Sequence, residues 1–241
     1  MIEFVRYTEW VFLTYFASLH FGYFVLAMLA FAKIVRYVVR RNRDLVRPVF
    51  EGYEPAVSVV VPTYNMEPTV LATISGLIEQ RFESLQIIIV NDGSSDKTLD
   101  VVIAAYDMVP TPMPPKSHLP SQPVRRVYRS RSSEDILLLD KENGKKADAN
   151  NAGVNYARHS LVCVMDADSV LEPDTLHRTV RMFIERPETI AAGGTLLVLN
   201  GCHVGRKGFV DHVRIAESYW ARVQTMEYIR AFLFGRLGFA F

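Results

Sequence analysis

The sequence has little of most features that announce a function by themselves. Of its 241 residues only two are cysteine, Cys163 and Cys202, which excludes a disulfide framework or a zinc site and leaves a reducing compartment as the default. Neither sign of charge dominates: 27 lysines and arginines face 26 acids, a net charge of +1. That balance gives no electrostatic reason to expect nucleic acid as a partner. There is no GxxxxGK[ST] loop and no GxGxxG, so neither an ATPase nor a dinucleotide enzyme is indicated. No internal repeat is visible. From Trp10 to Val35 there is not one acid.

That last absence marks a positive feature. WVFLTYFASLHFGYFVLAMLAFAKIV carries one histidine, His20, and one lysine, Lys33. At about 1.5 Å per residue a helix of this length crosses a hydrocarbon core of roughly 30 Å. The apolar part is too long for a cleavable signal peptide, and no strongly basic segment precedes it. Its flanks differ: Glu3, Arg6 and Glu9 before, Arg36, Arg40, Arg41, Arg43 and Arg47 after. The positive-inside rule then puts the remainder of the chain in the cytoplasm, anchored to the cell membrane. The expected organisation is an N-terminal tail over 1–9, a transmembrane helix over 10–35, a basic juxtamembrane linker over 36–55 and a soluble domain over 56–241.

The soluble part alternates. Strands are expected at Val57–Val61, Gln86–Val90 and Leu161–Met165, with weaker ones at Val124–Tyr128 and Ile136–Leu139. Helices are expected up to about Gln80, over Lys97–Tyr106, over Ala147–Arg158 and near Pro173–Glu185. This predicts an α/β fold with a mostly parallel, doubly wound sheet flanked by helices. Asp107–Pro123 holds six prolines and reads as an irregular surface loop. The apolar run Leu161–Met165 reads as a central strand covered on both faces.

In an open α/β sheet, ligands bind beyond the carboxyl ends of the strands. Three such ends carry polar signatures: Pro62-Thr63-Tyr64-Asn65, Asn91 to Asp96 (NDGSSD), and Asp166-Ala167-Asp168. Each alone could be turn or cap chemistry. Together they would meet along one edge. In extended backbone alternate side chains point the same way, so Asp166 and Asp168 can converge as two hard oxygen donors for Mg²⁺ or Mn²⁺. Lys146 stands just ahead of a helix start, where the backbone already favours anions. The combination describes a pocket for a nucleotide diphosphate and a divalent cation.

The ordered series VSVVVPTYN, IIIVNDGSSDKT, NGKKADANNAG and LVCVMDADSVLEPD resembles the family 2 inverting glycosyltransferases of the GT-A fold. It is most similar to the membrane-bound processive synthases of poly-N-acetylglucosamine, hyaluronan, chitin and cellulose. The likeness extends to GGTLLVLNG at 193–201 and to QTMEYIRAFLFGRLG at 224–238. The resemblance implies a UDP-sugar donor, a growing glycan acceptor and a Mg²⁺ or Mn²⁺ cofactor. It puts Pro62, Thr63, Tyr64 and Asn65 at the nucleotide, with Thr63 and Tyr64 beside the uridine. Asp92 bonds the uracil, Lys146 lies near the nucleotide, Asp166 lies close to ribose and diphosphate, and Asp168 is the main metal ligand.

There are departures. Met66 follows Asn65, with Glu67 one place later, where the family has Asn-Glu; Lys145 and Asn150 stand where the family has Gly and Leu. The family's general base and its QxxRW-like motif lie beyond Phe241, so the domain is expected to be incomplete at its C-terminus, and neither Glu217 nor Glu227 is expected to act as base. Tyr219–Phe239 mixes aromatics with arginines and could lie along a membrane surface. The alternatives are a catalytically incomplete nucleotide-sugar-binding membrane protein with a regulatory or assembly role, and a nucleotidyltransferase. The latter would need a glycine-rich, basic loop after the first strand, which PTYNMEP is not.

Overall fold

The computed structural model describes residues 2–44, 55–80, 82–194, 198–205 and 209–231. The N-terminal helix α1 covers Ile2–Asp44. Then follow β1 (Val57–Thr63), α2 (Val70–Ile78), β2 (Leu85–Asp92), α3 (Thr98–Ala105), β3 (Met108–Pro110), β4 (Val124–Ser130) and β5 (Ile136–Lys141). The series continues with α4 (Lys145–Tyr156), β6 (Leu161–Val164), α5 (Thr175–Glu185), the short β7 (His203–Val204) and β8 (Val210–His212), and α6 (Tyr219–Ala231). The chain forms two compact units. One is Gly52–Gly194 with His203–Val213; the other contains α1, the segment ending at Cys202, and α6.

The first unit is built on one sheet in the order β3-β4-β5-β2-β1-β6. β1 pairs in parallel with both β2 and β6, and β2 in parallel with β5. Within this sheet β4 alone runs against the other described strands, so its pairings with β3 and β5 are antiparallel. The expected α/β class with a mostly parallel sheet is what is observed.

β1 and β2 are rich in β-branched residues, which suits a pleated surface buried on both sides. Their alternation divides the core. Val57, Val59 and Val61 face Val70, Ile74 and Leu77 of α2 and Val180 of α5. Val60, Ile88 and Val90 face Ala149, Ala152 and Tyr156 of α4. Each fully buried Val or Ile stabilises by roughly 1.5–3 kcal/mol relative to exposure. Helix α4 approaches the sheet closely, because a Cβ on Gly153 would lie 2.3 Å from Val60 Cγ1.

Polar groups on the α4 side are satisfied pairwise. Ser58 Oγ donates to Gln86 Oε1 at 2.6 Å, and Gln86 Nε2 donates to the Tyr156 carbonyl at 3.3 Å. Gln86 thereby takes up an orphan carbonyl at the end of α4.

Two expectations are corrected. β6 is an edge strand among the described residues, with Val162 and Val164 38% and 45% exposed. A short apolar run does not distinguish an edge from a centre. The proline-rich stretch is not wholly irregular, because Met108–Pro110 pairs with β4. An edge strand tolerates Pro110, whose missing N–H can face outward.

The rest of that stretch is docked on α4. The Asn155 carbonyl accepts from Lys116 N at 2.6 Å, its Oδ1 accepts from Ser117 Oγ at 2.8 Å and Leu119 N at 2.7 Å, and its Nδ2 donates to the Leu119 carbonyl at 2.9 Å. Asn151 Nδ2 adds a bond to the Pro120 carbonyl at 2.8 Å.

In the second unit, the Arg6–Arg36 part of α1 is long and apolar enough to cross a membrane. Two of its polar side chains bond within the helix: Thr14 Oγ1 donates to the Trp10 carbonyl, and His20 Nδ1 lies 2.7 Å from the Phe16 carbonyl. The helix is longer at both ends than the expected 10–35, taking in the tail and the linker as far as Asp44. The rest of the linker through Glu54 lies outside the described residues, as do Arg81, Thr195–Leu197 of GGTLLVLNG and the chain after Ala231. In α6 no residue is buried.

Candidate functional site

Strand register brings the polar signatures to one side of the sheet. Val60 pairs with Val164 and Thr63 with Asn91, while Asp92 pairs with Lys141 of β5. The ends of β6, β1, β2 and β5 therefore lie in a row. Met165 N donates to the Val60 carbonyl, so Val60, and two residues on Pro62, face the β6 side of β1. There β6 has already ended, and Pro62 leaves no ladder donor missing.

The residues of the first signature differ in what they offer. Thr63 is buried and its hydroxyl donates to the Val90 carbonyl at 3.0 Å, tying β1 to β2. Tyr64 is 50% exposed. Asn65 takes φ +53°, a left-handed conformation that Asn tolerates. Its Oδ1 accepts from Ser95 N at 2.8 Å and Ser95 Oγ at 3.3 Å, while its N–H donates to Ser94 Oγ at 3.1 Å. Asn65 thus fastens the first loop to the second.

The backbone of the next two residues reinforces that link. Met66 N donates to Thr98 Oγ1 and Glu67 N to Asp96 Oδ2. Burial would raise the Asp96 pKa, but hydrogen bonds from the Thr98 hydroxyl and backbone and from Glu67 N outweigh it. The carboxyl is held below its ordinary value.

Asp92 is buried and is the centre of a cluster whose other members were not anticipated. Lys141 Nζ lies 2.5 Å from Asp92 Oδ1, 2.5 Å from Asp148 Oδ1 and 2.5 Å from the Glu142 carbonyl, with Lys141 wholly buried. Gly144 N donates to the same Asp92 Oδ1 at 3.0 Å, and Asn143 Nδ2 to the Asp92 carbonyl at 2.7 Å. Gly144 has no room for a side chain, since a Cβ would lie 2.4 Å from Asp148 Cγ. Asp148 Oδ2 accepts from Gln122 N of the docked proline-rich segment at 2.8 Å. The charged pair Asp140-Lys141 at the end of β5 reads in sequence as a strand leaving the core, and a lysine that stays buried needs a buried partner.

The two aspartates of DAD stand on a turn rather than on the strand itself. β6 ends at Val164, and Ser169 N donates to the Asp166 carbonyl at 3.1 Å. Thr73 Oγ1 holds the turn from α2 through the Ala167 carbonyl at 2.7 Å. Met165 and Ala167 point inward, and Asp166 and Asp168 are exposed. Lys146, on the first turn of α4, places Nζ 2.5 Å from Asp166 Oδ1. Lys145 before it takes φ +70°, a conformation that favours glycine. The lysine therefore stands where the backbone geometry suits a glycine.

Among the described residues, no three metal-ligating side chains gather in one group. Two exposed carboxylates are the kind of donor that suits a hard cation completing its coordination with water and phosphate oxygens, so Asp166 and Asp168 are the residues that could hold Mg²⁺ or Mn²⁺. Burial pushes the Cys163 thiol pKa up. In the other unit, hydrogen bonds from Arg230 and its charge hold the Glu227 carboxyl below the usual range, which makes it a weak proton acceptor.

The sequence profile of glycosyl transferase family 2 matches residues 58–208. The poly-beta-1,6-N-acetyl-D-glucosamine synthase of Staphylococcus aureus (strain COL) is 24% identical over 199 residues, covering 82% of this chain and 38% of the synthase. The enzyme of the same name from Staphylococcus epidermidis is 25% identical over 188 residues, covering 78% and 36%. The chain thus spans less than two fifths of the curated relatives it matches. A solved structure of a mannosyltransferase from Pyrobaculum calidifontis, bound to GDP-mannose and Mn²⁺, superposes with a TM-score of 0.43 at 23% identity, over 67% of this chain and 44% of that one.

Proposed function

Since the chain belongs to glycosyl transferase family 2, we propose that it binds a UDP-sugar with a divalent cation and serves transfer of that sugar, with inversion, to a glycan acceptor. N-acetylglucosamine is the proposed sugar, on the strength of the relatives' names. The observation that carries the reading is the convergence of Lys146 and Asp166, 2.5 Å apart, beside Asp168. A cation and two acids at the carboxyl edge of a parallel sheet suit a metal-bound diphosphate.

In this reading Asp168 and Asp166 hold Mg²⁺ or Mn²⁺, which when bound supplies Lewis-acid stabilisation of the departing diphosphate. Lys146 turns from Asp166 to the diphosphate and adds positive charge where negative charge develops. Asp92 accepts a hydrogen bond from the base. Tyr64, exposed at the same edge, offers its ring to the uridine, while Thr63, Pro62 and Asn65 shape that side of the pocket. α1 anchors the chain in the cell membrane with the sheet on the cytoplasmic side, as its flanking charges suggest. The proposed organisation is an anchor over 10–35 and a nucleotide-sugar domain from 56.

The test is donor binding and turnover by the full chain in lipid. With Mn²⁺, UDP-N-acetylglucosamine is expected to bind more tightly than GDP-mannose, and binding is expected to exceed turnover, since the residues assigned here hold the donor and none is assigned as general base. Failure to bind any UDP-sugar would overturn the reading.

A further inference from the structure

Lys141 is the least exposed charged residue of the sheet, wholly buried at the end of β5. Its ammonium has three acceptors within reach for three N–H groups: Asp92 Oδ1, Asp148 Oδ1 and the Glu142 carbonyl. Two of these are hydrogen bonds, to Asp92 Oδ1 and the Glu142 carbonyl, and the third is an ion pair with Asp148. What it does is fix other groups. Asp92 Oδ1 accepts from both Lys141 Nζ and Gly144 N. Among the described residues, Asp92 Oδ2 accepts from none. One carboxylate oxygen is anchored and the other carries no hydrogen bond from the described residues.

The anchoring is reinforced from several directions. Asn143 Nδ2 holds the Asp92 carbonyl, and Gly93 takes φ +67° with Asn143 N only 3.0 Å from where its Cβ would be. Asp148, on the first turn of α4, is itself held by Gln122 N. One lysine therefore joins the end of β2, the start of α4 and the docked proline-rich segment.

We propose that Lys141 is the positioning residue for nucleobase recognition, holding Asp92 by Oδ1 so that Oδ2 meets the base as a fixed acceptor. This rests on the donor-binding reading above. The chemistry selects the base: uracil presents an N3–H donor to that oxygen, whereas cytosine presents an N3 acceptor and is repelled. A polar site built to accept a hydrogen bond discriminates strongly against a ligand that lacks the donor. A lysine that only stabilised the fold would affect uridine and cytidine nucleotides alike.

The experiment measures affinities of UDP, CDP and inorganic diphosphate, each with Mn²⁺, for the full chain and for Lys141→Met. The unaltered chain is expected to prefer UDP over CDP by about tenfold or more. In Lys141→Met the UDP affinity is expected to fall toward that of CDP, with diphosphate affinity changed less than about twofold. A variant that keeps the UDP preference, or loses UDP and diphosphate equally, overturns the proposal. Absence of UDP binding to the unaltered chain would instead refute the donor-binding reading. Should Lys141→Met fail to fold, a structure of the unaltered chain with UDP and Mn²⁺ decides: Lys141 must remain on Asp92 Oδ1 with Oδ2 at hydrogen-bond distance from uracil N3. Lys141 found on the ligand, or Oδ1 facing the base, overturns it.

Discussion

Lys146 Nζ lies 2.5 Å from Asp166 Oδ1, although 62% of the lysine side chain and 52% of the aspartate side chain are exposed. An ion pair so open to solvent contributes only about 0–1 kcal/mol to stability. Its significance is that it brings the start of α4 to the end of β6. Lys146→Met is therefore expected to shift the melting temperature by no more than a few degrees. The same variant should weaken UDP binding by about tenfold, the scale of one charge-assisted hydrogen bond. Calorimetric melting and a UDP titration of one preparation check both halves.

Helix α4 is pressed against the sheet at Gly153, where a Cβ would lie 2.3 Å from Val60 Cγ1. Gly153→Ala is expected to destabilise the fold by about 1–3 kcal/mol through overpacking. The urea midpoint should fall while the slope of the transition stays unchanged.

Lys145, with φ +70°, carries a side chain in a backbone region that disfavours one. Lys145→Gly is expected to stabilise the fold by about 1 kcal/mol, since the relief of left-handed strain exceeds the added chain entropy of glycine. A rise in the urea midpoint would bear this out, and a fall would show that the lysine side chain contributes contacts of its own.

The sequence disclosed the parallel sheet because its strands are apolar, β-branched and bounded by turn residues; of the polar residues it singled out, Asp92 ends β2, Asp166 and Asp168 follow β6, and Lys146 stands on the first turn of α4. It did not disclose the edge position of β6, because LVCV reads the same at a centre and at an edge. The clasp of Asn155 on Leu119 and Ser117 joins segments 36 and 38 residues apart, beyond the reach of local pattern. Lys141 was passed over because a lysine after an apolar run looks like a strand leaving the core. Only the register opposite Asp92 shows that it stays inside.

Asn155→Ala removes the side-chain bonds to Ser117 Oγ, Leu119 N and the Leu119 carbonyl. A loss of about 1–3 kcal/mol is expected. Amide exchange should accelerate over 116–122 and leave β1 and β2 unchanged.

Asp96 supplies a pH dependence of known sign. Its folded pKa lies below the ordinary 3.8, so its stabilising contribution is complete above that value and is lost as pH falls through the folded pKa. The stability difference between the unaltered chain and Asp96→Asn should be constant from pH 7 to 5 and should shrink below pH 3.8. Urea midpoints at pH 7, 5 and 3 give the answer.

The central claim is that Asp168 and Asp166 hold a divalent cation that binds the nucleotide diphosphate. It is tested most directly by UDP titrations with and without Mn²⁺ for the unaltered chain and for Asp168→Ala. The account predicts that Mn²⁺ strengthens UDP binding to the unaltered chain by about tenfold or more and leaves the variant nearly unaffected. Equal strengthening of both would contradict it.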